Sequence, residues 1–289
     1  MTASRTATKS PSSDASRAEP DLGPLVIKYG GAALPPAGSS AFDGALVRLA
    51  EDLAEVGRAG KKTVVVHGGG REISEMMRAL GKEPVFIRGR RVTDPESMDI
   101  VQMVLVGRVN RAIVRCLNAA GVPAVGLCGQ DAGLALAVKR MERGEDGQMV
   151  DLGQVGEVAH VNPGILLTLL ESGYVPVVAP VAADAGGLTY NINADTMAGA
   201  LAASLRAECF VLLSDVPGLL ADPTVPESLV DRASRAEVLS MMAEGRLGGG
   251  MIPKVEACLL ALEGGAASAR IMTGSSRIVN PNGGTVITL

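Results

Sequence analysis

With 289 residues and 47% hydrophobic side chains, the chain is long enough for one large domain or two lobes around a sizeable core. Aromatic residues are only 2%, with no Trp, and the formal net charge is −4. Those values exclude a stacking platform for single-stranded nucleic acid and a basic field for a polyanion. Mean hydropathy is positive, yet no apolar run approaches the ~18 residues of a membrane span. The surplus therefore predicts a parallel sheet covered on both faces. Cys116, Cys128, Cys209 and Cys258 are scattered without a C-x-x-C spacing and read as buried, reduced thiols of a cytosolic protein. Two histidines, His67 and His160, are too few for a His-based metal site or a catalytic triad.

Residues 1–23 carry too few large apolar groups to offset ordering entropy, so their composition predicts a disordered extension. No apolar h-region marks a secretory signal, and Asp14, Glu19 and Asp21 argue against the transit peptide that Arg5 and Lys9 would suit. Leu25–Lys28 is a short apolar strand ending in a lysine, followed by Tyr29, Gly30 and Gly31. Such a lysine is either a solvated strand end or an ammonium aimed into a cleft, with glycines letting a ligand approach. A helix over Ala41–Ala59 leads to Thr63–Gly70, TVVVHGGG, where three β-branched residues make a buried strand and three glycines end it. Ile73, Met76, Met77 and Leu80 follow at helical spacing. A strand that breaks into glycines at a helix N-terminus makes an anion cradle, because backbone N–H groups converge there and the helix end adds partial positive charge. The alternative is a tight turn with no ligand. The stretch lacks the G-x-G-x-x-G spacing, and no G-x-x-x-x-G-K-[ST] occurs in the chain.

Arg88–Thr93, RGRRVT, sets three arginines around one glycine, which suits either bidentate capture of a carboxylate or a wet surface. Asp94 caps a helix with Pro95 at its first position, running to about Asn118. Apolar residues on more than one side of it (Ile100, Val101, Met103, Val104, Leu105, Val106) predict a homodimer seam. Val122–Leu127 is a strand with the loop Cys128–Gly133 at its carboxyl end; Leu134–Val158 alternates around a turn at Gly144–Gly147 and predicts hairpins over one face. A helix over Asn162–Gly173 and a strand over Tyr174–Val181 follow. In Tyr190–Leu205, Asn191 and Asn193 precede Asp195 and a small-residue helix, a pattern that capping alone could explain. Cys209–Ser214 is a strand with Ser214–Leu219 (SDVPGL) at its end, and Gly248–Glu256 (GGGMIPKVE) places glycines before Lys254 at a helix start. Ala269–Met272 and Thr285–Leu289 close the chain. This alternation predicts an α/β fold, a three-layer αβα sandwich around a central, mainly parallel sheet. Ligands of such sheets sit at the carboxyl ends of strands, so Lys28, Gly68–Gly70 and Cys128–Gly133 are expected to share one cleft.

The blocks VIKYGG, VVVHGGG, GRRVTD with MVLVGRVN after it, DLGQVGEV, YNINADTMAGA, LLSDVPGLL and GGMIPKVEAC resemble, in order, the amino-acid kinase family. The resemblance implies two lobes, residues 24–187 for acyl-amino-acid binding and dimerisation and residues 188–289 for ATP. It also implies a cytoplasmic homodimer that uses ATP, with Mg²⁺ carried by the nucleotide, to phosphorylate the γ-carboxylate of N-acetyl-L-glutamate in arginine synthesis. An ionised carboxylate needs no general base; it needs neutralisation between two repelling anions and in-line positioning. By similarity, Lys28 and Lys254 embrace the phosphoryl group while Asp195 lies between them and orients both. Gly69 and Gly70 supply N–H donors, and Arg91 with Asn191 holds the acyl amino acid. Gly30, Gly31, Ser214, Asp215, Gly218, Gly249 and Met251 border the nucleotide. Rival readings are a kinase for a carrier-linked or acetylated 2-aminoadipate in lysine synthesis, and a non-catalytic nucleotide-binding relative. The chain departs from the family after Ile271, in the region of residues 1–23 and at Gln130, which is given no catalytic role. The first two departures imply a dimer without arginine feedback.

Overall fold

The computed structural model describes residues 23–30, 44–144, 147–222, 224–225, 227–280 and 283–289. Residues 1–22, Gly31 and the first three residues of the helix expected over Ala41–Ala59 lie outside the described residues.

The chain runs through β1 (Leu25–Tyr29), α1 (Gly44–Arg58), β2 (Thr63–His67), α2 (Gly70–Ala79), β3 (Phe86–Ile87) and β4 (Arg90–Arg91). It continues through α3 (Pro95–Gln102), a π-helical turn (Met103–Val109), α4 (Asn110–Ala119), β5 (Ala124–Cys128), β6 (Ala135–Arg143) and β7 (Met149–Val161). Then come α5 (Gly164–Glu171), β8 (Val175–Ala179), β9 (Val181–Ala183), β10 (Thr189–Ile192), α6 (Ala194–Ser204) and β11 (Cys209–Ser214). The last elements are β12 (Arg232–Ser234), α7 (Arg235–Ala243), α8 (Ile252–Glu263), β13 (Ala269–Thr273) and β14 (Thr285–Thr288).

One eight-stranded sheet has the order β12-β14-β13-β11-β1-β2-β8-β5. The six strands from β13 to β5 are parallel, and β14 runs against β13. Its strands are apolar on both faces because both are covered. Val26, Val64, Val66, Phe210 and Leu212 face a layer made by α5, α6, α7 and α8. Their neighbours Ile27, Val65, Val211 and Leu213 face α1 to α4. The two cores give the three layers that the sequence predicts. The alternating segment Leu134–Val158 forms the hairpin β6–β7, which joins β9 and β10 in a small closed barrel. The strand expected over Tyr174–Val181 is broken at Pro180 into β8 and β9, so the chain leaves the sheet there for the barrel.

The helix expected from Pro95 to Asn118 carries an interior π turn. Asp94 caps it by accepting from Ser97 N–H at 2.8 Å. Four of the six residues assigned to the dimer seam, Ile100, Val101, Val104 and Leu105, are buried inside this chain, and Met103 alone is largely exposed at 56%. The second apolar side is used at home: the π turn holds Leu105 and Val109 against the glycines after β2. A Cβ at Gly69 (φ 155°) would lie 2.6 Å from Leu105 Cδ2, so this glycine is demanded by the helix above it as well as by the turn.

Candidate active site

Six parallel strands present their carboxyl ends at one edge, and α6 and α8, which precede β11 and β13, begin at that same edge. Lys28, two residues after Val26 on β1, points into the layer of α6. There its Nζ forms an ion pair at 2.8 Å with Asp195 Oδ1 in the first turn of α6, both residues being buried. Gly30 lies against this ammonium: a Cβ there would collide with Lys28 Nζ. Asn193 caps α6, its Oδ1 accepting from Asp195 N–H (2.8 Å) and Thr196 N–H (3.1 Å). Asp195 is thus placed by a cap two residues away, which leaves its own carboxylate to serve the lysine.

Close packing of α6 on α8 brings the second lysine to the same edge. A Cβ at Gly199 would come within 2.6 Å of Ala257 O, so the glycine sets the helix separation. Lys254 is half-buried, and its Nζ donates to Gly250 O at 3.1 Å. Among the described residues Asp195 pairs with Lys28 alone, which corrects the expectation that it holds both ammonium groups. Lys254 instead folds back on the glycine turn at the head of its own helix. The two lysines do share a neighbour. Asp215 accepts from the Ser214 hydroxyl at 2.8 Å. That bond, its own backbone N–H and the two ammonium charges hold its carboxyl below the usual carboxylate range.

Next to Lys28 and Asp195, a cavity of about 220 Å³ is lined by Gly68–Gly70, Phe86, Arg90, Arg91, Leu105, Val155 and Asn191. Arg91 is its charged floor. The guanidinium donates to Gly70 O (2.7 Å) and Ser74 Oγ (2.8 Å), and lies 4.7 Å from the centroid of the Phe86 ring. It is buried, and among the described residues no carboxylate pairs with it. Burial, followed by repulsion from Arg78, lowers its pKa to about 10, so it stays charged at neutral pH. A desolvated cation without an anion is a costly arrangement that a bound carboxylate would relieve. Asn191 lines the same space and reaches Thr93 Oγ1 at 3.4 Å. The N–H groups of Gly70, Arg71 and Glu72 open α2 and lack i−4 partners, so the helix end faces this cavity with unpaid donors.

Other expected residues fall differently. Gly218 packs on β14, where a Cβ would collide with Thr285 Oγ1, the acceptor for Leu219 N–H at 2.8 Å; its smallness is used in packing. Gly249 is exposed and Met251 half-buried at the head of α8. Cys128–Gly133 turns away from the cleft: Gly129 N–H donates to Val181 O (2.7 Å) and Gln130 to Thr189 Oγ1 (2.9 Å). None of these six residues lines the cavity, because β5 is the outermost strand and its loop closes the barrel. Sequence reasoning missed Phe86 and Arg90 in the cavity wall. Arg90 was visible in the arginine triplet, and the structure pairs it with Glu142 of β6 at 2.8 Å. A larger cavity, about 560 Å³, opens at the opposite edge beside Arg58, Lys61 and Lys62. There α1, α4 and α5 end rather than begin, so no helix N-terminus serves it.

A helix N-terminus, two lysines and an arginine that no carboxylate pairs with among the described residues, gathered at the carboxyl edge of a parallel sheet, suit a phosphotransferase for small anionic acceptors. The chain belongs to the amino acid kinase family, whose model matches residues 23–273. It is 53% identical over 251 residues to acetylglutamate kinase of Symbiobacterium thermophilum, covering 86% of this chain and 84% of that one. Identity is 46% over 254 residues to acetylglutamate kinase of Archaeoglobus fulgidus, with 87% and 86% covered. Among solved structures, N-acetylglutamate synthase of Neisseria gonorrhoeae superposes with a TM-score of 0.76 at 26% identity, over 92% of this chain and 59% of that longer one. Carbamate kinase of Giardia lamblia shares the fold, with a TM-score of 0.66 at 17% identity over 93% and 99%. Among the described residues no helix is long and apolar enough to cross a membrane.

Proposed function

We propose that this chain transfers the γ-phosphoryl group of ATP to the γ-carboxylate of N-acetyl-L-glutamate, giving an acyl phosphate in arginine biosynthesis. Its relatives' names support the reaction; the observation that carries it in this molecule is Arg91. A buried guanidinium with no carboxylate partner among the described residues lines a 220 Å³ cavity together with the glycine turn and Ala194, the residue before Asp195. In this reading the substrate α-carboxylate docks on Arg91 and Asn191, and Phe86 and Leu105 cover its apolar part. The γ-carboxylate then reaches the N–H groups of Gly69 and Gly70. No proton has to be removed, so the work is charge neutralisation and alignment. Lys28, clamped by Asp195, stabilises the transferring phosphoryl from one side. Lys254, which among the described residues donates to a backbone carbonyl, swings to it from the other. The nucleotide lies along Gly30, Ser214, Asp215, Gly249 and Met251, and residues 24–187 and 188–289 act as acceptor and nucleotide halves. Asp215 is the acid at that end, so Mg²⁺ would come with ATP rather than sit in a protein cage.

Trapping the product with hydroxylamine tests the reaction. N-acetyl-L-glutamate should give hydroxamate far faster than N-acetyl-2-aminoadipate or free glutamate. Preference for the longer acid would replace the substrate, and no hydroxamate from any acid would remove the kinase reading.

The same reading includes a cytoplasmic homodimer joined along the outer side of the π turn, where Met103 is exposed. Met103→Glu should lower the sedimentation coefficient to that of a monomer while leaving the fold intact. An unchanged coefficient would remove this surface from the interface.

A further inference from the structure

The phosphoryl-transfer chemistry leaves one buried polar cluster unused. His67, the last residue of β2, is 1% exposed and Asn110, the first residue of α4, is fully buried. His67 Nδ1 is 2.7 Å from Gly68 O, and its Nε2 is 3.2 Å from Asn110 Nδ2. The same amide nitrogen donates to Val177 O at 2.8 Å, while Asn110 Oδ1 accepts from Arg111. Those partners fix the amide orientation, since a carbonyl needs a donor and a guanidinium an acceptor. Asn110 therefore donates to Nε2, and Nδ1 must carry the ring proton and give it to Gly68 O. Burial first, with Arg111 adding to it, lowers the pKa of His67 to about 4 against the pull of the Gly68 carbonyl, so the ring is neutral at pH 7.

We infer that His67 and Asn110 are positioning residues that aim the backbone N–H of Gly69 at the reacting groups; this rests on the acyl-phosphate reading above. In a planar trans peptide the C=O of Gly68 and the N–H of Gly69 point in opposite directions. His67 follows Val65 on the face toward α1 to α4, so the carbonyl it grips is drawn to that side. The N–H of Gly69 is turned to the other side, where Lys28 meets Asp195. A peptide between two glycines has no Cβ to bar its flipping, so something outside the turn has to hold it. His67 does so through one proton, and Asn110 keeps that proton on the correct nitrogen.

Side-chain amides that mimic one ring nitrogen at a time test this. Asn at 67 can present a donor where Nδ1 stood, and Gln where Nε2 stood. His67→Gln should lose kcat on the order of 10²-fold, as for removal of one preorganised donor, with KM values for ATP and the acyl amino acid little changed. His67→Asn should keep most of kcat. Equal losses in the two variants, or losses that simply follow melting temperature, would overturn the inference, as would an unaltered kcat in His67→Gln. Long-range ¹H–¹⁵N correlation on the wild-type protein reads the tautomer without any variant. A protonated Nδ1 with a bare Nε2 is expected, and the opposite tautomer overturns the proposal. A wild-type protein that makes no acyl phosphate would sink the kinase reading instead, leaving the tautomer result to stand separately.

Discussion

Lys28→Ala is expected to lower kcat by 10²–10³-fold, roughly the effect of deleting one preorganised electrostatic group, while KM for the acyl amino acid changes little. The ammonium is buried and paired at 2.8 Å with a buried carboxylate. Its removal therefore does two kinds of damage. A stabilising charge disappears from the line between two anions, and Asp195 is left there as an uncompensated negative charge that repels both. Breaking a buried pair from one side costs about 3–5 kcal/mol, so the melting temperature should fall as well. Removing Asp195 in the same molecule separates the effects: Lys28→Ala with Asp195→Ala should recover stability but not kcat. Lys28→Arg should not rescue either, because the space left by Gly30 fits an ammonium tip and not a planar fork. Rates measured by hydroxamate trapping, beside thermal melts, decide the matter; near wild-type kcat in Lys28→Ala would sink the assignment.

The second large effect is on binding. Arg91→Lys should raise KM for the acyl amino acid by roughly 10–150-fold, the equivalent of about 1.5–3 kcal/mol for hydrogen bonds to a charged group, and leave KM for ATP unchanged. The guanidinium already serves Gly70 O, Ser74 Oγ and the Phe86 ring and still has donors left for a carboxylate. A lysine has three donors and no plane to lay on the ring, so it must abandon one set. The pH dependence has a definite sign. Because the pKa of Arg91 is lowered to about 10, the cation is fully present through pH 8. Affinity for the carboxylate should fall as pH rises through 10, with no corresponding loss on the acidic side from this group. A change confined to KM for ATP would contradict the placement.

Much of this was legible in the chain itself. Apolar strands without alternation, each followed by a helix, announce a doubly covered parallel sheet, and Lys28, Gly69, Arg91 and Asp195 sit where strand ends and helix starts must meet. What stayed hidden was whatever depends on a neighbour distant in sequence. The π turn inserts a residue and shifts the face that the following residues present, so how much of the apolar surface from Ile100 to Val106 is hidden within the chain is seen only from its burial. A glycine in a string of letters looks the same whether it admits a ligand, a lysine tip or a threonine; Gly30 and Gly218 proved to make room for Lys28 and Thr285. Arg90 and Arg91 are adjacent and chemically alike. Only the two-stranded ribbon that β4 forms with β3 decides which of them becomes the cavity floor. The partner of Lys254 stayed hidden for a different reason: it is the carbonyl of Gly250, only four residues upstream, and a glycine turn has no side chain to announce it.

Strand β1 is zipped by five residue pairs to β2 on one side and by five to β11 on the other. The half that presents the acceptor and the half assigned to the nucleotide are therefore both measured from a single ribbon, and Lys28 is the graduation mark on it. Any widening of the cleft by parting those strands would unzip a ladder in the middle of the core. The sheet behaves as a fixed ruler, and breathing is left to what hangs from its edge: the barrel, the arginine ribbon and the glycine turns. Distance between the two reacting anions is thus set by the frame, and access to them by its fringe.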